Sequence, residues 1–275
     1  MALLPIPPLS KGPPQRRAFL VSLLLAFACV RHAGGALATN FSDQWWNPNE
    51  SGWGASFLQQ VDVIFIDLFV FDVETKQTSF TVAARYQSVN AAGELLFSGD
   101  LYLVSGPHFG SPFDPNAVRT RKVGTLTFRA TTVDTGVLTY SVDEVNVVKN
   151  ITRQTWAFEN FTGNYYGGLV YDASDCLSAA DNGHYEELGS ININHQSNTA
   201  TIVSQTPGGT CTYTASYTQA GHMGIMQGSY SCTNGITGSF IAFEMEKSTS
   251  GMLGRFVAQN NLCASLTGSL GGLQR

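Results

Sequence analysis

Charge is scarce in this 275-residue chain: only 13% of its residues are Asp, Glu, Lys or Arg, roughly half the share of an ordinary soluble domain. Set beside 43% hydrophobic residues, so little charge argues against disorder, because such a chain has ample apolar surface to bury. Positive charge is the scarcer sign, with Lys+Arg 15 against Asp+Glu 20. Four of the cations (Lys11, Arg16, Arg17 and Arg31) lie in the first 38 residues, which leaves 11 against 20 and a balance of −9 for the rest. That balance argues against nucleic acid or an anionic membrane as the main partner. Long apolar runs are also lacking. Residues 18–30 form a run of 13, short of the roughly 20 that a spanning helix needs. Signature motifs are missing too: there is no G-x-S-x-G, H-E-x-x-H, P-loop, G-x-G-x-x-G or C-x-x-C, so no cofactor and no metal is expected. A Ser-His-Asp triad assembled in space is defined by geometry and leaves no such trace.

What is present begins with an export pattern. Residues 1–17 are basic and Pro-rich, the run 18–30 follows, and Ala36-Leu37-Ala38 offers a cleavage site before Thr39, the three parts of a secretory signal peptide. Arg16-Arg17-Ala18-Phe19-Leu20 also resembles a twin-arginine signal. The mature protein is therefore expected in the periplasm, on the outer surface or in the medium. Without Cys29 it holds four cysteines, Cys176, Cys211, Cys232 and Cys263, all in its second half. Residues 210–218 and 224–232 read as strands around a turn, and positions 211 and 232 are centred on that turn. A hairpin would set Cys211 opposite Cys232 within disulfide reach, leaving Cys176 to pair with Cys263.

Beyond residue 39 no helical period recurs, whereas period-two alternation does, as in Ile241-Ala242-Phe243-Glu244-Met245-Glu246. Strands are expected at 54–60, 63–72, 78–87, 94–104, 124–130, 136–142 and 145–154, joined by short turns. Residues 105–122, with three prolines and Arg119, Arg121 and Lys122, read as one long loop of the kind that often carries function. Asn40-Phe41-Ser42-Asp43-Gln44-Trp45-Trp46 echoes Asn160-Phe161-Thr162-Gly163-Asn164-Tyr165-Tyr166 at an offset of 120. The expectation is an all-β protein of two antiparallel units, 39–158 and 159–275, behind a signal peptide at 1–38. Each would be a small up-and-down barrel of lipocalin or avidin type, with a sandwich as the alternative.

Gln44–Gly54, QWWNPNESGWG, resembles the W-W-N-P-x-E-S-G-W-G opening of a family of secreted proteobacterial proteins. The resemblance extends through Phe69-Val70-Phe71-Asp72, Gly99-Asp100-Leu101-Tyr102, Ile151-Thr152-Arg153-Gln154 and Gly228-Ser229-Tyr230-Ser231-Cys232. It implies export and β structure and carries no reaction. Asp67 stands where a small or hydroxyl residue is expected.

Trp45, Trp46 and Trp53 with Asn47, Asn49 and Glu50 form the densest candidate site. Indole faces can stack on a sugar while amides and a carboxylate hold its hydroxyls. Equally, one tryptophan can plug a barrel end while Pro48 and Ser51-Gly52 make the turn. The leading expectation is a non-enzymatic binding or envelope-associated protein that takes a glycan or small apolar molecule. The alternatives are an envelope carbohydrate hydrolase using Glu50 and Asp67 as paired carboxylates, or a structural or adhesive module. Among the histidines, His195 shares a strand face with Ile191 and Ile193, His184 opens an H-x-E-E that is not a metalloprotease helix, His222 is expected in a solvated turn, and His108 falls in the long loop.

Overall fold

The structure, a computed structural model, describes residues 39–275. The signal peptide, Cys29 and His32 lie outside them. The described chain is all-β and forms two closed eight-stranded antiparallel barrels, the up-and-down alternative and not the sandwich. The first comprises β1 (Asp43–Trp46), β2 (Gly54–Gln60), β3 (Val63–Phe71), β4 (Gln77–Val89), β5 (Leu95–Ser105), β6 (Arg119–Ala130), β7 (Thr135–Val142) and β8 (Val145–Arg153). The second comprises β9 (Gly163–Cys176), β10 (Gly183–Gln196), β11 (Thr199–Thr206), β12 (Gly209–Ala220), β13 (Met223–Cys232), β14 (Thr237–Lys247), β15 (Gly251–Asn260) and β16 (Cys263–Gln274). Within each barrel every strand pairs with its sequence neighbour, and β1–β8 and β9–β16 close the rings. The first ring closes narrowly, β1 meeting β8 only at Trp45–Arg153 and Trp46–Thr152, whereas β9 and β16 pair along most of their length.

Alternation decides which side chains go inside. On β3 the buried Ile64, Ile66 and Leu68 alternate with the outward Phe65 and Asp67. On β12 the inward Tyr213, Ala215 and Tyr217 alternate with exposed Thr212, Thr214, Ser216 and Thr218. On β12 the outer face is thus a row of hydroxyls over an apolar interior. No helix among the described residues is long and apolar enough to cross a membrane.

The repeat in sequence is a repeat in structure. The Trp45 indole N–H donates to the Phe41 carbonyl at 3.0 Å, and the Tyr165 hydroxyl donates to the Phe161 carbonyl at 2.9 Å. Asn40 Oδ1 accepts from the Ser42 N–H and Asn160 Oδ1 from the Thr162 N–H, at 2.9 and 2.8 Å. Each chain segment thus tucks a phenylalanine under its barrel and seals one end.

Both predicted disulfides form, with Cys211 directly opposite Cys232 and Cys176 opposite Cys263. The hairpin turn between β12 and β13 is the pair Gly221-His222, at the expected centre. The long loop is shorter than expected. β6 already begins at Arg119, and a 3-10 turn, Pro115–Ala117, occupies part of residues 106–118. The basic run reads as loop because its strand partners are remote: Arg121 ion-pairs with Asp143 and Lys122 with Asp100.

Candidate functional site

The Trp-rich opening splits between wall, turn and core. Trp45 is 0% exposed at the centre of the first barrel, stacked on Phe57 and edge-on to Phe128 at 5.3 Å each. With Phe41 and Phe97 these rings fill the interior, so Trp45 offers no face to a ligand. Trp46 points outward on the β1 wall. Asn47 and Asn49 build the following turn, where Asn47 Oδ1 accepts from the Asn49 N–H and its carbonyl accepts from the Glu50 N–H. Glu50 accepts from the Trp53 indole and pairs with Lys149, whose ammonium also lies 5.5 Å from the Trp53 ring. The Lys149 hydrogen bond holds the Glu50 carboxyl below its usual range despite partial desolvation.

Asp67 faces outward from β3 between Ser56 and Thr81. Its Oδ1 is buried without a hydrogen-bond partner, and burial pushes its pKa up. Among the described residues no hydrogen bond joins Glu50 to Asp67, and neither lines the cavity described next.

That cavity lies inside the second barrel and measures about 540 Å³. It arises from side-chain size once the ring closes. Where the first barrel turns Phe57, Phe97 and Phe128 inward, the second sets Ala242 and Ala258 against the chamber. Its strands are also longer, reaching 14 residues in β9 and β10. Ile191, Ile202, Met226, Met252, Phe256 and Leu266 supply much of the lining. Phe161, Tyr165, His195 and Tyr217 pack together outside this lining as the floor of the barrel. His195 Nδ1 accepts from the Phe161 N–H and Nε2 lies 2.9 Å from the Ser197 carbonyl, which holds the ring in place. Burial pushes the Tyr217 hydroxyl up to about 12, keeping that group uncharged.

The opposite end is the mouth, with residues 206–209, Asn234 and Ile236 at its edge. Both disulfides cross-link the strands there, because Cys176, Cys211, Cys232 and Cys263 all sit at that end of their strands. Polar groups converge just inside. The Tyr171 hydroxyl donates to Glu187 Oε1 at 2.8 Å, and Tyr213 stacks on Tyr230 at 5.1 Å. Burial, followed by the Glu187 interaction, pushes the Tyr171 hydroxyl far up. An apolar chamber of this volume with a few placed polar groups has the anatomy of a small-molecule site.

A second polar cluster joins the sealed ends of the barrels. Arg153 is 3% exposed and donates to Asp43 Oδ2 at 3.1 Å and to the carbonyls of Asn40 and Val133 at 2.7 and 2.8 Å. Asp43 also accepts the backbone N–H and ring Nδ1 of His222, at 3.0 and 2.8 Å, while His222 Nε2 lies 3.4 Å from Glu246. Nearby, Thr39 donates to Glu244 at 2.6 Å, and Arg255 donates to the same carboxylate at 3.0 Å. His222 is therefore not in a solvated turn but between two carboxylates. Gly221, at φ +62°, makes this possible: a Cβ there would fall 1.8 Å from Asp43 Oδ2. The other histidines are unremarkable in chemistry; His184 is exposed beside Asp172, and His108 Nδ1 accepts from the Gly110 N–H.

No family model matches the chain, and no curated protein matches it. What the protein does must be read from its barrels.

Proposed function

We propose that the protein is an exported, non-enzymatic binding protein whose second barrel encloses a small, mainly apolar molecule. The observation that carries this reading is the 540 Å³ chamber, kept open in a protein whose other barrel is packed with rings. An apolar cavity of this kind gains free energy when a guest displaces poorly held water. Two disulfides support export, since such bonds persist in oxidising compartments, and so does the leader pattern at 1–38. The aromatic turn of the first barrel, with Trp46, Trp53, Asn47, Asn49 and Glu50, remains a proposal for glycan contact at its surface.

The test is titration with the neutral, apolar dye N-phenyl-1-naphthylamine, followed by its fluorescence. Saturable binding at one site per chain is expected, and Ala242→Phe and Ala258→Phe, which drive a ring into the chamber, should each abolish it. Absence of saturable binding to folded protein, or undiminished binding in both variants, would overturn the proposal.

A further inference from the structure

The mouth of the chamber has a chemistry of its own. Glu187 follows the inward parity of Ile191 and Ile193 along β10 and lines the cavity. Tyr171 occupies one of its oxygens. The charge of Glu187 reaches the hydroxyls of Tyr171, Tyr213 and Tyr230, so one carboxylate stands among three phenol rings. Tyr185 backs this group by stacking on Tyr171 at 5.4 Å. Among the described residues no lysine, arginine or histidine lines the chamber, and no ion pair is made by Glu187. Glu186 also borders the chamber, but it is exposed and lies 3.9 Å from His184. Glu187 is the acidic group with inward parity beside the oily interior, and no cation of the protein's own balances it.

Resting on the binding proposal above, we infer that the guest is an organic cation. Its ammonium head lies among Glu187, Tyr171, Tyr213 and Tyr230, and its hydrocarbon tail fills the barrel below. Tyrosine rings attract such a head through their negative faces, more strongly where water is displaced, and the carboxylate supplies the opposite charge. A neutral alcohol would gain the tail's burial without either term. A carboxylate-headed amphiphile would meet Glu187 as a like charge.

Three probes with the same eight-carbon tail separate these cases: octyltrimethylammonium, octan-1-ol and octanoate, each titrated calorimetrically. The ammonium is expected to bind at least about tenfold more tightly than the alcohol, with octanoate weakest. Glu187→Gln should remove most of the ammonium's advantage over octan-1-ol, bringing the two affinities together. Tyr230→Leu, an independent variant on the facing strand, should also weaken the ammonium selectively. Equal affinity for ammonium and alcohol, or a preference that survives both substitutions, overturns the cation assignment while leaving an apolar-ligand site in place. Failure of all three probes to bind overturns the binding proposal itself, and the cation assignment with it.

Discussion

Raising the pH should loosen the junction between the barrels, and His222 sets where. Hydrogen bonding to Asp43, then to Glu246, pushes the His222 pKa up to about 9 from an ordinary 6.5, against the opposing effects of burial and of Arg153. The charged groups facing the ring are thus Asp43 on β1, Arg153 on β8 and Glu246 on β14. Because the folded pKa lies above the unfolded one, protonated His222 contributes its full stabilisation below about pH 6.5 and loses it as pH rises through about 9. The full shift corresponds to about 3.4 kcal/mol. The side chain is 38% exposed, and solvent screening reduces the contribution to roughly 1–2 kcal/mol. Burial pushes the hydroxyls of Tyr140, Tyr165, Tyr213 and Tyr230 upward, so they do not ionise within this window. Hydrogen bonds from His222 keep Asp43 below its usual range despite its burial, and also hold Glu246 down. The assay is urea unfolding followed by tryptophan fluorescence at about pH 6 and about pH 9.5. Wild type should lose roughly 1–2 kcal/mol between the two, and His222→Gln less than about 0.5. A flat wild-type profile, or an equal loss in the variant, would refute the reasoning.

Two further outcomes follow from neighbouring features. Gly221→Ala places a methyl group 1.8 Å from the Asp43 carboxylate at a φ of +62°; a loss of about 2–4 kcal/mol is expected in thermal or urea unfolding, and a change under about 0.5 would contradict that geometry. The disulfides enclose separations of 87 and 21 residues. In the chain-entropy model, replacing the Cys176–Cys263 pair with serines should therefore cost about 5 kcal/mol and replacing Cys211–Cys232 about 3, an order that paired denaturation curves would confirm or reverse.

The strands were legible wherever one face meets oil and the other water. Ile64, Ile66 and Leu68 show that period on β3, as do Ile191, Ile193 and His195 on β10. The cysteine pairing was equally readable, since a two-residue turn at Gly221-His222 sets the register of everything beside it. Arg119, Arg121 and Lys122 were not readable as strand. Their stabilising partners Asp100 and Asp143 come from β5 and from the β7–β8 turn, and local composition says only that prolines and charges are near. The chamber leaves no motif at all. Ala242 and Ala258 sit on different strands, and their small size becomes a shared void only after the ring is closed. His222 was obscured for a related reason: the carboxylate that defines it lies 179 residues earlier in the chain.

The sealed ends of the barrels abut through Asp43, Arg153 and His222, which has a consequence for traffic. A guest admitted past Cys211 and Cys232 meets a blind wall of Phe161 and Tyr217 and, behind it, the neighbouring barrel. A guest that uses this end enters and leaves past the same rim. Residence time is then governed at that rim, whose frame is held by two covalent hoops that stay shut for as long as the surroundings remain oxidising.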